Sequence, residues 1–303
     1  DQTTNPGVVL AFSKLASQPD MVAFLGSIRS TQVHAMAPDV LKIGKPVMIG
    51  GTDPALTHMG NPWLFRFRPN DSYSGSVIAA YGVQTLGKKK WAVVHSTDAF
   101  GTAGGKALTD ALAKLGGTSV VLDQGYANQS QDFTPVVLAI KQSGADILGS
   151  YFTFENDLGV FARQLRQLGV TIPYIGSPSI VNITALKLAG PALYGTFGVA
   201  DYAEESSDAA KAFGKAYRDV AKITPDNQSS WTYDAINVLA KAINQAGKTD
   251  PAAIRNAILA IRGHQGAEGE YNFDANGDGL HGYNIVRNDK GTIVFDKHVE
   301  STS

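Results

Sequence analysis

Apolar positions along the chain recur in two alternating rhythms, and that alternation sets the expected architecture. Between Gly7 and Gln18, Val8, Val9, Phe12 and Leu15 fall at helical spacing. The short apolar run Met21 to Leu25 then reads as a strand, Gln32 to Ile43 as a helix, and Pro46 to Ile49 as a second strand. Trp63 to Arg68 alternates as a strand does, before a helix over Tyr73 to Leu86. Strands at Trp91 to His95, Ser119 to Leu122, Ala145 to Ser150 and Tyr174 to Gly176 are interleaved with helices over Gly104 to Leu115, Thr134 to Gln142 and Glu155 to Leu168. Repeated strand–helix units of this length predict an α/β fold whose parallel sheets carry helices on both faces.

The later chain changes character. Asp208 to Ile261 is mostly helical, in three pieces broken at Ile223 to Asn227 and Gly247 to Asp250. Short strands at Tyr271 to Phe273, Tyr283 to Val286 and Thr292 to Phe295 follow, joined by Gly and Asn turns. No solenoid period and no low-complexity stretch interrupts the pattern.

Composition narrows the class. A length of 303 residues gives a prior of about two domains, and 44% hydrophobic with 17% charged residues describes a globular protein with a sizeable core. A net charge of −1, with Lys88-Lys89-Lys90 as the one basic cluster, lacks the basic surface that nucleic acid requires. Cysteine is absent, which excludes disulfides, thiol nucleophiles and thiolate metal sites. No apolar run approaches the ~20 residues of a membrane span, so no direct membrane insertion is expected.

Most strings that resemble chemical motifs fail their pattern. Gly101 to Lys106 has Phe100 and Ala107 where a phosphate loop needs Gly and Ser or Thr. Asp274 to Gly279 matches the first half of a calcium loop, but Ile285 stands where the bidentate Glu belongs, and a surface turn is the better reading. The six histidines show no metal spacing, there is no nucleophile elbow, and no acid/base set recommends an enzyme. No metal and no cofactor is expected.

Two strand ends stand out instead. Met21 to Leu25 opens into Gly26 to Thr31, and Pro46 to Ile49 opens into Gly50-Gly51-Thr52-Asp53-Pro54. In open parallel sheets ligands bind beyond the carboxyl ends of strands, where loops and helix N-termini offer N–H groups. Hydroxyls at Ser30 and Thr52, with backbone exposed by Gly50 and Gly51, suit a small carboxylate. The same residues read equally well as a helix cap and a turn.

The order of Asp1 to Pro6, Phe24-Leu25-Gly26 through Ser30, Pro46 to Thr57, Arg66 to Asn70, and Phe273-Asp274 with Gly277-Asp278 resembles the type I periplasmic binding proteins. It is most similar to the branched-chain amino acid branch that serves ABC transporters, and the likeness runs over essentially the whole chain. The resemblance implies two doubly wound lobes joined by a three-crossing hinge, with lobe 1 at 1–69 and 202–275 and lobe 2 at 70–201 and 276–303. It implies a periplasmic protein that closes over a ligand in the inter-lobe cleft and delivers it to a membrane permease.

Carried over residue by residue, the carboxylate-binding serine falls on Ser30, its threonine partner on Thr52, and a backbone contact on Gly50 beside Gly51. Cleft aromatics fall on Phe100 and Tyr151, which can also be read as core. Two departures accompany the likeness. The opening βαβ unit of the family precedes the point where this sequence starts, so the first lobe is expected here without it. At the ammonium site, where an acid is usual, Ser177-Pro178-Ser179 stands instead, with Glu155, Asp157 or Asp201 as possible substitutes. The alternatives are a binder of an aromatic or other organic acid, and a ligand-sensing receptor domain of the same fold.

Overall fold

A computed structural model of the chain describes residues 1–300. In chain order the elements are α1 (Asn5–Ala16), β1 (Phe24–Leu25), α2 (Ser30–Ile43), β2 (Val47–Ile49), α3 (Ala55–His58), β3 (Leu64–Arg66), α4 (Asp71–Ala80), β4 (Lys90–Ser96), α5 (Ala99–Leu115) and β5 (Ser119–Tyr126). They continue with α6 (Thr134–Ser143), β6 (Ile147–Tyr151), α7 (Glu155–Gln167), β7 (Tyr174–Gly176), α8 (Ile183–Ala189), β8 (Phe197–Ala200), α9 (Asp208–Ala221) and α10 (Asn227–Ala246). The last are α11 (Pro251–Leu259), β9 (His264–Gln265), β10 (Glu270–Tyr271), β11 (Gly282–Asp289) and β12 (Thr292–Glu300). The described residues form two compact units, one of residues 1–70 and 207–281, the other of residues 71–206 and 282–300.

The first unit is built on a parallel sheet in the order β1-β2-β3. Successive strand side chains point to opposite faces, so Met48 joins Phe65, Trp231, Val238 and Ile254 on one side. Val47 and Ile49 join Val33, Met36, Val40 and Phe12 on the other. The whole of β2 is therefore buried, as a central parallel strand covered by helices on both faces must be.

The second unit is built on a sheet in the order β12-β11-β8-β7-β6-β4-β5. Strands β4 to β8 run parallel, while β11 and β12 return antiparallel. Ala92, Val94 and Leu148 pack with α6 and α7, and Trp91, Val93 and Ile147 pack with α4 and α5.

Several element boundaries differ from the sequence expectation for identifiable reasons. Helix α5 starts at Ala99 because the Asp98 carboxylate accepts from Gly101 N–H and caps it. The Gly101 to Lys106 string thus lies inside a helix, where it cannot cradle phosphate. The apolar pattern does not predict strand β8 because Gly198 breaks its run, and a Cβ on that glycine would lie 2.4 Å from Ile180 Cγ2. The helix after Tyr73 ends at Ala80 and passes into a π-helical turn over Tyr81–Thr85.

The unit boundaries fall at 70/71, 206/207 and 281/282. Residues 276–281, expected in the second lobe, belong to the first unit because Asp278 pairs with Arg66 and Asn70, and Leu280 packs beside Phe273. Residues 202–206 belong to the second unit, where Ala203 packs with Ala200 and Val286.

Candidate functional site

In the first unit the loops after β1 and β2 lie together. Ser30 is the first residue of α2, and Arg29 in the cap position offers the helix no side-chain bond. The Ser30 hydroxyl serves the neighbouring loop instead, accepting from Thr52 N–H and Asp53 N–H, each at 3.1 Å. It is 1% exposed, and among the described residues its hydrogen is given to no protein acceptor. Thr52 is equally buried, and its Oγ1 has no hydrogen-bond partner among the described residues. A buried hydroxyl without a partner costs about 1–3 kcal/mol.

Both glycines stand in crowded surroundings. A Cβ on Gly50 would sit 2.8 Å from the Trp231 indole, and one on Gly51 would sit 2.7 Å from Leu56 Cδ1. The backbone of Gly50 is held on both sides, its N–H by Ser27 O and its carbonyl by Arg68 Nη1. Beneath the loop Arg66 is fully buried and takes up the carbonyls of Gly51, Asp53 and Pro54, while Asp278 pairs with it. His34 Nε2 lies 2.6 Å from Asp53 Oδ2. Burial alone would raise the Asp53 pKa, but the bonds from His34 and Ala55 N–H, with the His34 and Arg66 charges, hold it below the usual 3.8.

The strand ends of the second unit are organised differently. Asp98 Oδ1 accepts from the Ser96 hydroxyl, Thr153 hydroxyl and Gly101 N–H, and its Oδ2 accepts from Asn128 Nδ2. Phe100 lies on the first turn of α5, half-buried, with its ring 5.9 Å from that of Tyr151. Tyr151 is fully buried, its ring fills the space left by Gly104, and its hydroxyl lies 2.8 Å from Ser74 Oγ. Burial pushes its pKa well above 10.0.

Ser177 is 1% exposed and leads into a 3-10 turn over Pro178–Val181, and Ser179 Oγ donates to Phe152 O at 2.5 Å. Of the acids considered as substitutes at this end, Asp157 is buried and accepts from Gln129 N–H. Desolvation raises its pKa above 3.8. Asp201 is buried as well, and Glu155 is half-buried at the start of α7.

Thus the structure brings Ser30, Gly50, Gly51 and Thr52 together in one unit and places Phe100, Tyr151, Ser177 and Ser179 in the other. The sequence reading gave no site role to Arg66, Asp98 or Trp231. Asp98 carried a readable sign, an Asp two residues before Phe100 at a helix start, whereas Arg66 looked like one more polar position in an alternating strand. Asp274 Oδ1, in the calcium-like turn, accepts from Asn276 N–H and Asp278 N–H. Among the described residues no helix is long and apolar enough to cross a membrane.

The architecture matches a known class. A leucine binding protein of Thermotoga maritima superposes over 98% of this chain and 85% of its own, with a TM-score of 0.91 and 22% identity. That likeness defines the fold as that of the type I periplasmic binding proteins. In sequence, an amino acid binding protein of Pseudomonas aeruginosa is 29% identical over 280 residues, 89% of this chain and 72% of the relative. A Leu/Ile/Val-binding protein homolog of Brucella melitensis is 27% identical over 88% of this chain and 70% of its own length. The periplasmic binding protein family profile matches residues 1–292, and the chain belongs to that family.

Proposed function

We propose that this protein captures a small carboxylate solute outside the cytoplasm, in the periplasm, and passes it to the membrane permease of an ABC transporter. The ligand class we favour is a branched-chain or other hydrophobic amino acid. The observation that carries the reading is the pair of buried hydroxyls at the β1 and β2 ends. Ser30 has both lone pairs engaged by backbone N–H groups and a hydrogen left to give, and Thr52 Oγ1 has no partner. Two donors in a buried, glycine-opened loop fit an anionic carboxylate, and the names of the sequence relatives point to amino acids. Binding here makes and breaks no covalent bond, in keeping with a family of binding proteins.

Phe100, Ser177 and Ser179 are proposed to contribute further ligand contacts, whereas Tyr151 supports them from the core. A second reading follows from Pro178, which carries neither charge nor N–H where an acid is expected. An α-ammonium left without a carboxylate is unfavourable by several kcal/mol, so an aromatic or other organic acid is the alternative ligand. Calorimetric competition of L-leucine against benzoate tests the choice. Saturable leucine binding that benzoate does not displace supports the amino acid; benzoate binding without leucine binding overturns it.

A further inference from the structure

Arg66 contributes no atom to the proposed carboxylate nest, yet its whole fork is committed to the loop that carries it. Nη1 donates to Gly51 O at 3.2 Å and Asp53 O at 2.6 Å, and Nη2 donates to Pro54 O at 3.2 Å and Thr57 Oγ1 at 2.6 Å. Nε donates to Asp278 Oδ1 at 2.8 Å, and Asn70 Nδ2 holds the other carboxylate oxygen at 3.0 Å. The guanidinium is 0% exposed and Asp278 is 1% exposed. Burial would raise the Asp278 pKa, but the Arg66 charge and these bonds bring it below 3.8, so the pair stays ionised.

The Gly51–Thr52 peptide lies between this cation and Ser30. In a trans peptide the C=O and N–H point in opposite directions. The Gly51 carbonyl faces Arg66, and the Thr52 N–H on the far side of the same plane reaches Ser30 Oγ. The next peptide adds the Asp53 N–H to that oxygen. A hydroxyl oxygen has two acceptor positions and one hydrogen, so with both positions filled it can only donate. The cation also polarises the peptide between them, and chained hydrogen bonds strengthen one another.

We propose that Arg66, held by Asp278, is a positioning residue for anion recognition. By pinning the Gly51–Thr52 peptide it makes Ser30 a donor-only hydroxyl, which selects a carboxylate against the corresponding amide. A carboxylate presents acceptors alone, whereas an amide can turn an N–H₂ toward a group unable to accept it. The inference rests on the carboxylate reading for its ligand consequence, but its structural half is testable without any ligand.

The experiment compares the wild-type chain with Arg66→Lys, which keeps the charge and loses the fork, and with Thr57→Val, which removes one acceptor of Nη2 and disturbs the fold least. Amide hydrogen exchange is measured in the ligand-free proteins. We expect Thr52 and Asp53 to exchange about tenfold faster in Arg66→Lys and to shift the same way, by less, in Thr57→Val, the size of one lost hydrogen bond. Ala235 and Val238 in α10 should keep their wild-type rates. Unchanged protection of Thr52 and Asp53 in both variants overturns the proposal, and Thr57→Val decides alone if Arg66→Lys does not fold. The affinity ratios of L-leucine to L-leucinamide and of benzoate to benzamide should also fall about tenfold in Arg66→Lys, whereas plain destabilisation would weaken acid and amide alike. A wild-type protein that binds neither acid removes the carboxylate reading and leaves the exchange result to judge the positioning.

Discussion

The loops after β1 and β2 and the loops after β4 and β6 occupy the same topological position, beyond the carboxyl ends of parallel strands. They use their hydroxyls in opposite ways. In the first unit the backbone carbonyls are satisfied from below by Arg66 and Arg68, which leaves the hydrogens of Ser30 and Thr52 uncommitted. In the second unit a single carboxylate, Asp98, takes the hydroxyl hydrogens of Ser96 and Thr153, and Ser179 gives its own to Phe152 O. The comparison teaches that a hydroxyl at a strand end keeps its hydrogen uncommitted only when something else settles the backbone around it. A buried arginine does so in one unit, and among the described residues no cation is paired with Asp98.

The largest expected effect breaks the first arrangement at its base. Asp278→Asn leaves the Arg66 guanidinium buried beside a neutral amide, and stability should fall by about 3–5 kcal/mol in urea unfolding monitored through the tryptophans. The ionised pair also fixes a sign. Because the folded pKa of Asp278 lies below 3.8, its contribution is present at neutral pH and is lost as pH falls through the folded value, a loss the Asn variant should not show.

Asp234, in the same unit but away from the nest, should behave in the opposite sense. It is 1% exposed, and desolvation raises its pKa to about 6 despite bonds from Ala267 N–H, Glu268 N–H and Tyr271. The folded protein then holds the extra proton between about pH 4 and 6, so this group's contribution falls with rising pH across that window by up to roughly 3 kcal/mol. It is level above it. Subtracting the pH–stability profile of Asp234→Asn from that of the wild type isolates the decline; a flat difference from pH 4 to 8 would exclude it.

The nest itself is sharpened by two substitutions that should part company. Ser30→Ala removes a donor to the ligand and the acceptor of two backbone N–H groups, so it should lower both carboxylate affinity, about tenfold or more, and stability, by about 1–3 kcal/mol. Thr52→Val removes a hydroxyl that the protein does not use. Affinity should again fall about tenfold, while the melting temperature holds or rises. Calorimetry and thermal melts on the two variants check both halves.

The smallest effects belong to the second unit. Tyr151→Phe and Thr153→Val each delete a hydroxyl bonded inside the protein, and each should lower stability by about 1 kcal/mol while moving ligand affinity less than about threefold. A tenfold loss of affinity in Tyr151→Phe would mean that its hydroxyl reaches the ligand after all.

Much of this was legible in the order of residues. The alternation of apolar runs determined the α/β class and the parallel sheets, because period two and period 3.6 are local properties of backbone geometry. Gly50-Gly51 flanked by Ser30 and Thr52 was readable as an opened loop at two strand ends. That reading does not say which hydroxyls stay uncommitted, since that depends on partners distant in sequence. Arg66 finds Asp278 across 212 positions. Gly50 must be glycine because Trp231 from α10 leans on it. Tyr151 packs its ring where Gly104 leaves room and sets its hydroxyl beside Ser74. Local spacing thus fixed the elements and the candidate loops. The fate of each donor was decided by tertiary packing, because a hydrogen bond needs its acceptor within about 3 Å and the sequence does not state which distant residues come that close.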